Sequence, residues 1–248
     1  MSLGFFLDLD TISLGSFWEL KVAVNGYESF VGNSLVTQAA VGRKFEIIHI
    51  PILKESKSMD CSRIMVRFLE DGYKCWLSVS QIIGNACRND FWEPIVLSQG
   101  QIKDRIPKIL EWLKQASNLQ NKYLWGGTIG PDFDCSGLVQ AAFATQDIWL
   151  PRDAYQQEQF CERVEFNIQS FRELLSGDLL FFGTQKRCNH VAIYIGNGCY
   201  CHSSGPSNGN NGIGFNSFNQ VDIISNYYQS LLRGAGRVQH CHDGSTLI

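Results

Sequence analysis

The sequence predicts an α+β protein in two parts, a small N-terminal β-barrel followed by a domain of helices and then strands. Three observations predict it. Short apolar runs separated by turn signals fill residues 17–96. Near residue 100 the apolar spacing changes to that of a helix, and after residue 177 runs rich in β-branched and aromatic residues return. At 248 residues and 44% hydrophobic, the chain can bury a full core in one large domain or two modest ones. The change at residue 100 favours two, 1–98 and 99–248.

In the first part the expected strands are "WELKVAVN", "SLVTQAAVG", "KFEIIHIPIL", "SRIMVRFLED" and "KCWLSVSQI", with Asn25-Gly26 and Asp71-Gly72 as turns. In the second, "QIKDRIPKILEWLKQASN" sets Ile102, Ile106, Ile109, Leu110 and Leu113 at helical spacing. Pro107 lies inside that pattern. A proline removes a hydrogen bond and clashes with the preceding turn, so the helix is expected to start only just before it. A glycine loop, "WGGTIG", leads to a helix opening at "DFDCSGLVQAAF", whose apolar face is Leu138, Val139, Ala142 and Phe143. "GDLLFFG", "HVAIYIG" and "NGCYCHSSG" read as strands, the last two joined at Gly196-Asn197-Gly198. Residues 203–219, rich in Gly, Asn and Ser, are expected to be an exposed loop, and "RGAGRVQH" a final strand.

Composition excludes several functions. A net charge of −3 with no block of like charges leaves no electrostatic footprint for nucleic acid or an anionic membrane. No apolar stretch approaches the roughly 20 residues that cross a bilayer. The opening "MSLGFFLDLDTISLG" lacks a basic segment and carries acids within its apolar part, so a cytoplasmic protein without a standard signal is expected. Nine cysteines, an odd number, fit a reducing compartment better than a disulfide framework. No C-x-x-C pair occurs.

Cys135 admits three readings: packed thiol, metal ligand or nucleophile. A free thiol with pKa about 8.5 is mostly un-ionised at neutral pH, so a nucleophilic cysteine needs help. Capping by Asp134 places Cys135 in a first helical turn, where unpaired N–H groups favour negative charge. A histidine must supply the rest, oriented by a third polar group. His190 and His202 flank the Gly196-Asn197-Gly198 turn. A three-residue loop sets Ala192 opposite His202 and both histidines on one face, whereas a two-residue loop sends His202 to the other. The alternative for His202, a metal site with Cys188, Cys199 and Cys201, suffers because alternate strand residues face apart. The "HCH" of residues 240–242 is a weaker hint of the same kind.

The stretches "YLWGGTIGPDFDCSGLVQAAF", "LPRDAYQQ", "GDLLFFG" and "NHVAIYIGNGCYCHSSG" resemble the NlpC-type family of papain-like cell-wall cysteine peptidases, carried behind a bacterial SH3-like domain. The resemblance implies a papain-like α+β domain in which the helix bearing the cysteine packs on an antiparallel sheet bearing the histidines. It makes Cys135 the nucleophile, His190 the general base and acid, and His202 the residue that orients His190. The Cys135 amide would help hold the oxyanion. Among members that release L-Ala-γ-D-Glu from stem peptides with a free amino end, Tyr73 matches the barrel tyrosine that closes off that end. Tyr123, Asp134, Ser136, Arg152 and Asp153 match substrate-binding positions, with the Asp134 carboxylate suited to an α-ammonium group. Ala154 stands where the family usually has serine, which weakens the specificity more than the reaction class. Tyr73 as a plain surface aromatic and Asp134 as a plain helix cap are the bland alternatives.

The expected activity is hydrolysis of the γ-D-Glu to diamino acid bond in peptidoglycan-derived peptides, with no cofactor, no metal, no nucleic acid and no membrane. An amidase or acyltransferase using the same site, and an idle peptide-binding module, are the competing readings.

Overall fold

The computed structural model describes residues 5–51 and 63–245. The chain forms two compact units, residues 5–94 with 243–245, and residues 95–242. The expected boundary at 98/99 falls just inside the second unit, at the N-cap of its first helix.

The first unit contains β1 (Phe17–Leu20), β2 (Val24–Tyr27), β3 (Leu35–Ala39), β4 (Lys44–His49), β5 (Arg63–Phe68), β6 (Lys74–Ser78), a short helix α1 (Val79–Ile82) and β7 (Ala86–Arg88). Its strands pair antiparallel in the order β3-β2-β6-β5-β4-β1-β7. With β3 and β7 as edges, pairing alone does not close this sheet into the expected barrel. Alternate residues of β1, β4 and β5 bury Trp18, Leu20, Phe45, Ile47, Val66 and Phe68, as a period of two requires when one face meets the core. The expected run "WELKVAVN" is two strands. Residues 52, 53 and 62 of the expected runs lie outside the described residues.

Of the two expected turns in this unit, Asp71-Gly72 closes β5 onto β6, with Gly72 at φ +67° and the Asp71 carboxylate accepting from the Tyr73 N–H at 3.0 Å. Asn25-Gly26 is not a turn. Gly26 lies within β2, opposite Thr37 and Leu77, and a Cβ there would stand 2.7 Å from both the Cys75 sulfur and the Thr37 methyl. The glycine serves close packing.

The second unit contains α2 (Gln99–Ser117), α3 (Cys135–Ala144), α4 (Ala154–Phe160), β8 (Glu162–Val164), β9 (Leu179–Gly183), β10 (Cys188–Gly196), β11 (Cys199–Ser204), β12 (Gly212–Ser217), α5 (Ile223–Ser230) and β13 (Leu232–Arg237). Its antiparallel sheet runs β12-β11-β10-β9-β13-β8. One face packs Leu179, Phe181, Val191, Ile193 and Cys201 with Leu138, Val139 and Phe143 of α3 and with Ile109 and Leu113 of α2. The other packs Leu180, Phe182, Ala192, Tyr194 and Tyr200 with Phe218 and with Tyr228 of α5. Burial on both faces is why "LLFF" and "VAIYI" are unbroken apolar runs.

Two local expectations are corrected. Helix α2 does not begin beside Pro107 but at Gln99, after a capping box between Ser98 and Gln101. Pro107 is exposed, as is Lys103 one turn earlier, so the carbonyl that loses its donor faces water. Residues 203–219 are not one loop. Residues 203–204 finish β11, and β12 pairs along β11 from Cys199↔Ser217 to Ser204↔Gly212. Backbone pairing there overrides the loop-like composition.

The β10–β11 hairpin resolves the register question. Asn197 and Gly198 both have positive φ, at 53° and 74°, as a two-residue type I′ turn requires. By itself that turn would misplace His202. A bulge at Ile195, between the pairs Tyr194↔Tyr200 and Gly196↔Cys199, restores the register, and Ile193↔Cys201 puts His202 opposite Ala192.

Replacing Gly26 by alanine forces a methyl into the contact with Cys75 and Thr37 and is expected to destabilise the first unit by about 1–3 kcal/mol. Denaturant unfolding followed by fluorescence of Trp18 and Trp76 would measure it; an unchanged midpoint would contradict the packing role.

Candidate active site

The site begins with the cap of α3. Asp134 is the N-cap, extended at φ −86° and ψ 179°, and its Oδ1 accepts from the Gly137 N–H at 2.7 Å. Its Oδ2 accepts from the Gly126 N–H at 2.9 Å, which draws the glycine loop onto the helix start. Approach of the loop is close: a Cβ on Gly137 would stand 2.0 Å from the Gly127 carbonyl oxygen. The glycines in "WGG" and "CSG" are therefore needed where the two segments meet.

The Asp134 carboxylate also receives the Arg152 guanidinium in a two-pronged pair, at 3.1 Å to Oδ1 and 2.5 Å to Oδ2. Both residues are buried, Arg152 at 2% exposure and Asp134 at 5%. Ser136 bridges them, its hydroxyl donating to Asp134 at 3.3 Å and accepting from Arg152 at 2.9 Å. Asp134, Ser136 and Arg152 thus form one buried ion-pair cluster. The segment that carries Arg152 is held by Gln157 of α4, whose Nε2 donates to the carbonyls of Ser136 and Pro151, and by Gln140, which donates to Leu150. Asp153 is the N-cap of α4, and its N–H is accepted by Gln156 at 3.3 Å. Ala154 is the buried first residue of that helix.

Cys135 opens α3 and is buried at 7% exposure. Its own amide sits at the first helical position, which has no intrahelical partner. The N–H groups of Ser136 and of Val191, the residue after His190, donate to its sulfur. That contact brings the mouth of β10 to the Cys135 sulfur. The Ser203 hydroxyl donates to the Phe133 carbonyl at 2.6 Å, tying β11 to the residues just before the cap.

His190 and His202 meet, as the hairpin register requires. His190 Nε2 and His202 Nδ1 are 2.7 Å apart, and His202 Nε2 lies 3.0 Å from Asn216 Oδ1. His202 is fully buried and His190 is 9% exposed. Tyr228 covers both, its ring centroid 4.6 Å from each imidazole. Tyr123 lies half-buried beside the site, where its backbone bridges to Phe133. Tyr73 belongs to the first unit, where it packs on that unit's core. Among the described residues no three His, Cys, Asp or Glu side chains converge as metal ligands.

Burial dominates the electrostatics. It pushes the Cys135 thiol up to about 12, with the Asp134 carboxylate adding to the effect; the two backbone N–H groups and Arg152 oppose it. The helix start alone was expected to favour the thiolate, and here it is outweighed. Burial, reinforced by His202, holds His190 well below its usual imidazole value, and burial takes His202 down to about 4. The resting pair is therefore a neutral thiol and a neutral imidazole. Burial raises Tyr123 and Tyr228 further, so both remain hydroxyl donors at neutral pH.

Sequence reasoning missed Asn216, Tyr228 and Ser203. Asn216 and Ser203 lay in the stretch read as a loop, and Tyr228 on a helix too short to show a clear period.

An antiparallel sheet carrying two histidines packs against a helix that begins with a cysteine, the residue types that thiol-dependent acyl transfer uses. Residues 120–235 match the NlpC/P60 family. The chain is 36% identical over 133 residues to the bifunctional muramidase/DL-endopeptidase CwlT of Bacillus subtilis, covering 51% of this chain and 36% of that protein. It is 37% identical over 84 residues to the γ-D-glutamyl-L-lysine dipeptidyl-peptidase of the same organism, covering 33% of this chain and 27% of that protein. The match thus spans about a third of the length of these curated relatives. A crystal structure of an NlpC/P60 family protein from Bacillus cereus aligns over 91% of this chain and 64% of its own, at 22% identity and a TM-score of 0.44.

Two outcomes follow. Arg152→Met leaves the Asp134 charge buried and unpaired, which is expected to cost about 3–5 kcal/mol in thermal or denaturant unfolding; a change near zero would refute the pairing. The pH dependence of Cys135 alkylation reports His190 as base, which works only when neutral. Because burial favours the neutral imidazole, the acid limb is expected well below pH 6.5, the value for a free imidazole. Mass spectrometry of iodoacetamide labelling between pH 4 and 8 would check this, and a loss of reactivity between pH 7 and 6 would count against it.

Proposed function

We propose that the protein is a cysteine peptidase that cleaves the γ-D-Glu to diamino acid bond of peptidoglycan stem peptides. The observation that carries this reading is the His190–His202 contact on β10 and β11, together with the Val191 N–H, next in chain to His190, on the Cys135 sulfur at the start of α3. The name of the dipeptidyl-peptidase relative supports the γ-D-glutamyl bond.

In the proposed reaction the Cys135 proton passes to the ring nitrogen of His190 left open by His202, Nδ1, as sulfur attacks the scissile carbonyl carbon. The Cys135 N–H, free at the helix start, holds the developing oxyanion. As the C–N bond breaks, His190 returns the proton to the leaving amine, and water then hydrolyses the thioester with His190 again as base. Tyr123, Ser136, Arg152 and Asp153 line the acyl side in this reading. Asp134 keeps its substrate role only in part, because its carboxylate is already neutralised by Arg152: it orders the pocket and offers an α-ammonium group a polarised, not a bare, charge. The first unit's antiparallel sheet, with Tyr73, is taken as SH3-like on the same resemblance.

Mass spectrometry after incubation with L-Ala-γ-D-Glu-diaminopimelate and its N-acetylated form is the test. Wild type is expected to release L-Ala-γ-D-Glu from the free-amine peptide alone, and Cys135→Ala to release none. Folded wild-type protein that cuts neither peptide would overturn the proposal, and transfer of the acyl group to an added amine would move it to an acyltransferase.

A further inference from the structure

The His190–His202 contact does not by itself decide which nitrogen of His190 can act as base, because a neutral imidazole carries one proton and either ring nitrogen can hold it. The decision lies one residue further along. His202 Nε2 faces Asn216 Oδ1 at 3.0 Å, and Asn210 Nδ2 donates to that same oxygen at 2.8 Å while lying farther, at 3.4 Å, from His202 Nε2 itself, so the closer partner of Nε2 is the oxygen. An amide oxygen only accepts, so the proton of His202 sits on Nε2 and its Nδ1 is a lone pair. His190 must then donate from Nε2 across the 2.7 Å contact, which leaves its Nδ1 as the lone pair available to the thiol. With the Asn216 amide reversed, every proton in the chain would reverse, and His190 would present an N–H to Cys135 instead of a base.

We propose that Asn216 is a positioning residue that sets the tautomers of His202 and His190, and that the relay runs Asn210, Asn216, His202, His190, Cys135. The inference rests on the proposed thiol chemistry and goes beyond it, since it assigns a role on β12, outside the three residues that the sequence marks. Asn216 is built for the task. It is 7% exposed and held on β12 opposite Tyr200, while Asn210 approaches from the solvent side. The groups that face the histidine pair are Tyr200 of β11, Tyr228 of α5 and Phe182 of β9, with the Cys135 thiol acting on Tyr228 and Asp222 acting on Tyr200 from the start of α5. Tyr200 and Tyr228 are held protonated by burial, so among these described neighbours none brings an ionised side chain to the pair at neutral pH.

The test combines a readout that needs no turnover with one that does. Nitrogen-15 NMR of the imidazoles in the full chain is expected to show His202 and His190 both protonated at Nε2; a proton on His202 Nδ1 would overturn the inference. Asn216→Leu removes the acceptor, and the rate of Cys135 alkylation is expected to fall by about 10-fold or more, with kcat for peptide cleavage falling alike and KM little changed. Asn216→Asp keeps an acceptor at the same place and is expected to recover most of that rate. Its carboxylate favours the protonated relay, so the acid limb of alkylation should move to higher pH. Equal rates and an unmoved limb in the two variants would leave Asn216 a mere packing residue and overturn the proposal. Failure of peptide cleavage with the expected tautomers and alkylation profile would strike the proposed substrate and leave this inference standing.

Discussion

The buried pair of Asp134 and Arg152 is the constraint on which the site depends. One carboxylate caps α3, binds the glycine loop through Gly126, and holds the segment 150–153 through Arg152. Three pieces of chain that are separate in sequence therefore share one anchor, and Cys135 is the next residue along. Two ions taken out of water together are worth little to stability in net terms, but their geometry admits few alternatives. A two-pronged guanidinium fixes the carboxylate plane, the plane fixes the cap, and the cap fixes where the sulfur starts.

From that anchor the site is assembled from two sides that obey different physics. The helix side positions by polar contacts: cap, ion pair, and the glutamines of α3 and α4 on carbonyls. The sheet side positions by register. His190 and His202 meet because the bulge at Ile195 supplies the residue that a two-residue turn lacks. The two sides join at short backbone links, the Val191 N–H on the sulfur and the Ser203 hydroxyl on the Phe133 carbonyl. Neither link depends on a flexible side chain reaching far, so helix start and strand mouth stay in step.

Much of this was legible in the sequence where a residue type is tied to a local rule. Asp134 before an apolar run reads as a cap; histidines separated by a Gly-Asn-Gly turn read as hairpin partners; "LLFF" and "VAIYI" read as strands buried on both faces. What was not legible depends on distant neighbours. Asn25-Gly26 has turn composition, yet Gly26 is required by Cys75 and Thr37 from other strands. Pro107 breaks a helix on paper and is tolerated because its turn faces solvent. The pairing of β12 with β11 turned a Gly- and Asn-rich stretch into a strand, and with it hid Asn216. The pairing of Arg152 with Asp134 was not legible because nothing local in the sequence joins the two.

The same burial that makes the thiol and both imidazoles reluctant to ionise gives the arrangement its chemical logic. An exposed thiolate and imidazolium would be solvated before the substrate arrives and would lose that solvation on binding. Here the pair is neutral and already dry, with Tyr228 over both rings. In the proposed reaction, charge appears only as the proton crosses from sulfur to nitrogen, at the moment when N–H groups at the helix start can meet the negative charge on sulfur and oxygen. Preorganised donors of this kind are worth most in a site from which water is excluded, since they need no reorientation when the charge forms. The cost is that the proton must find the correct nitrogen of His190 every time. In the proposed relay, the hydrogen-bonded chain buried on the far side of that ring fixes the choice before any substrate is bound.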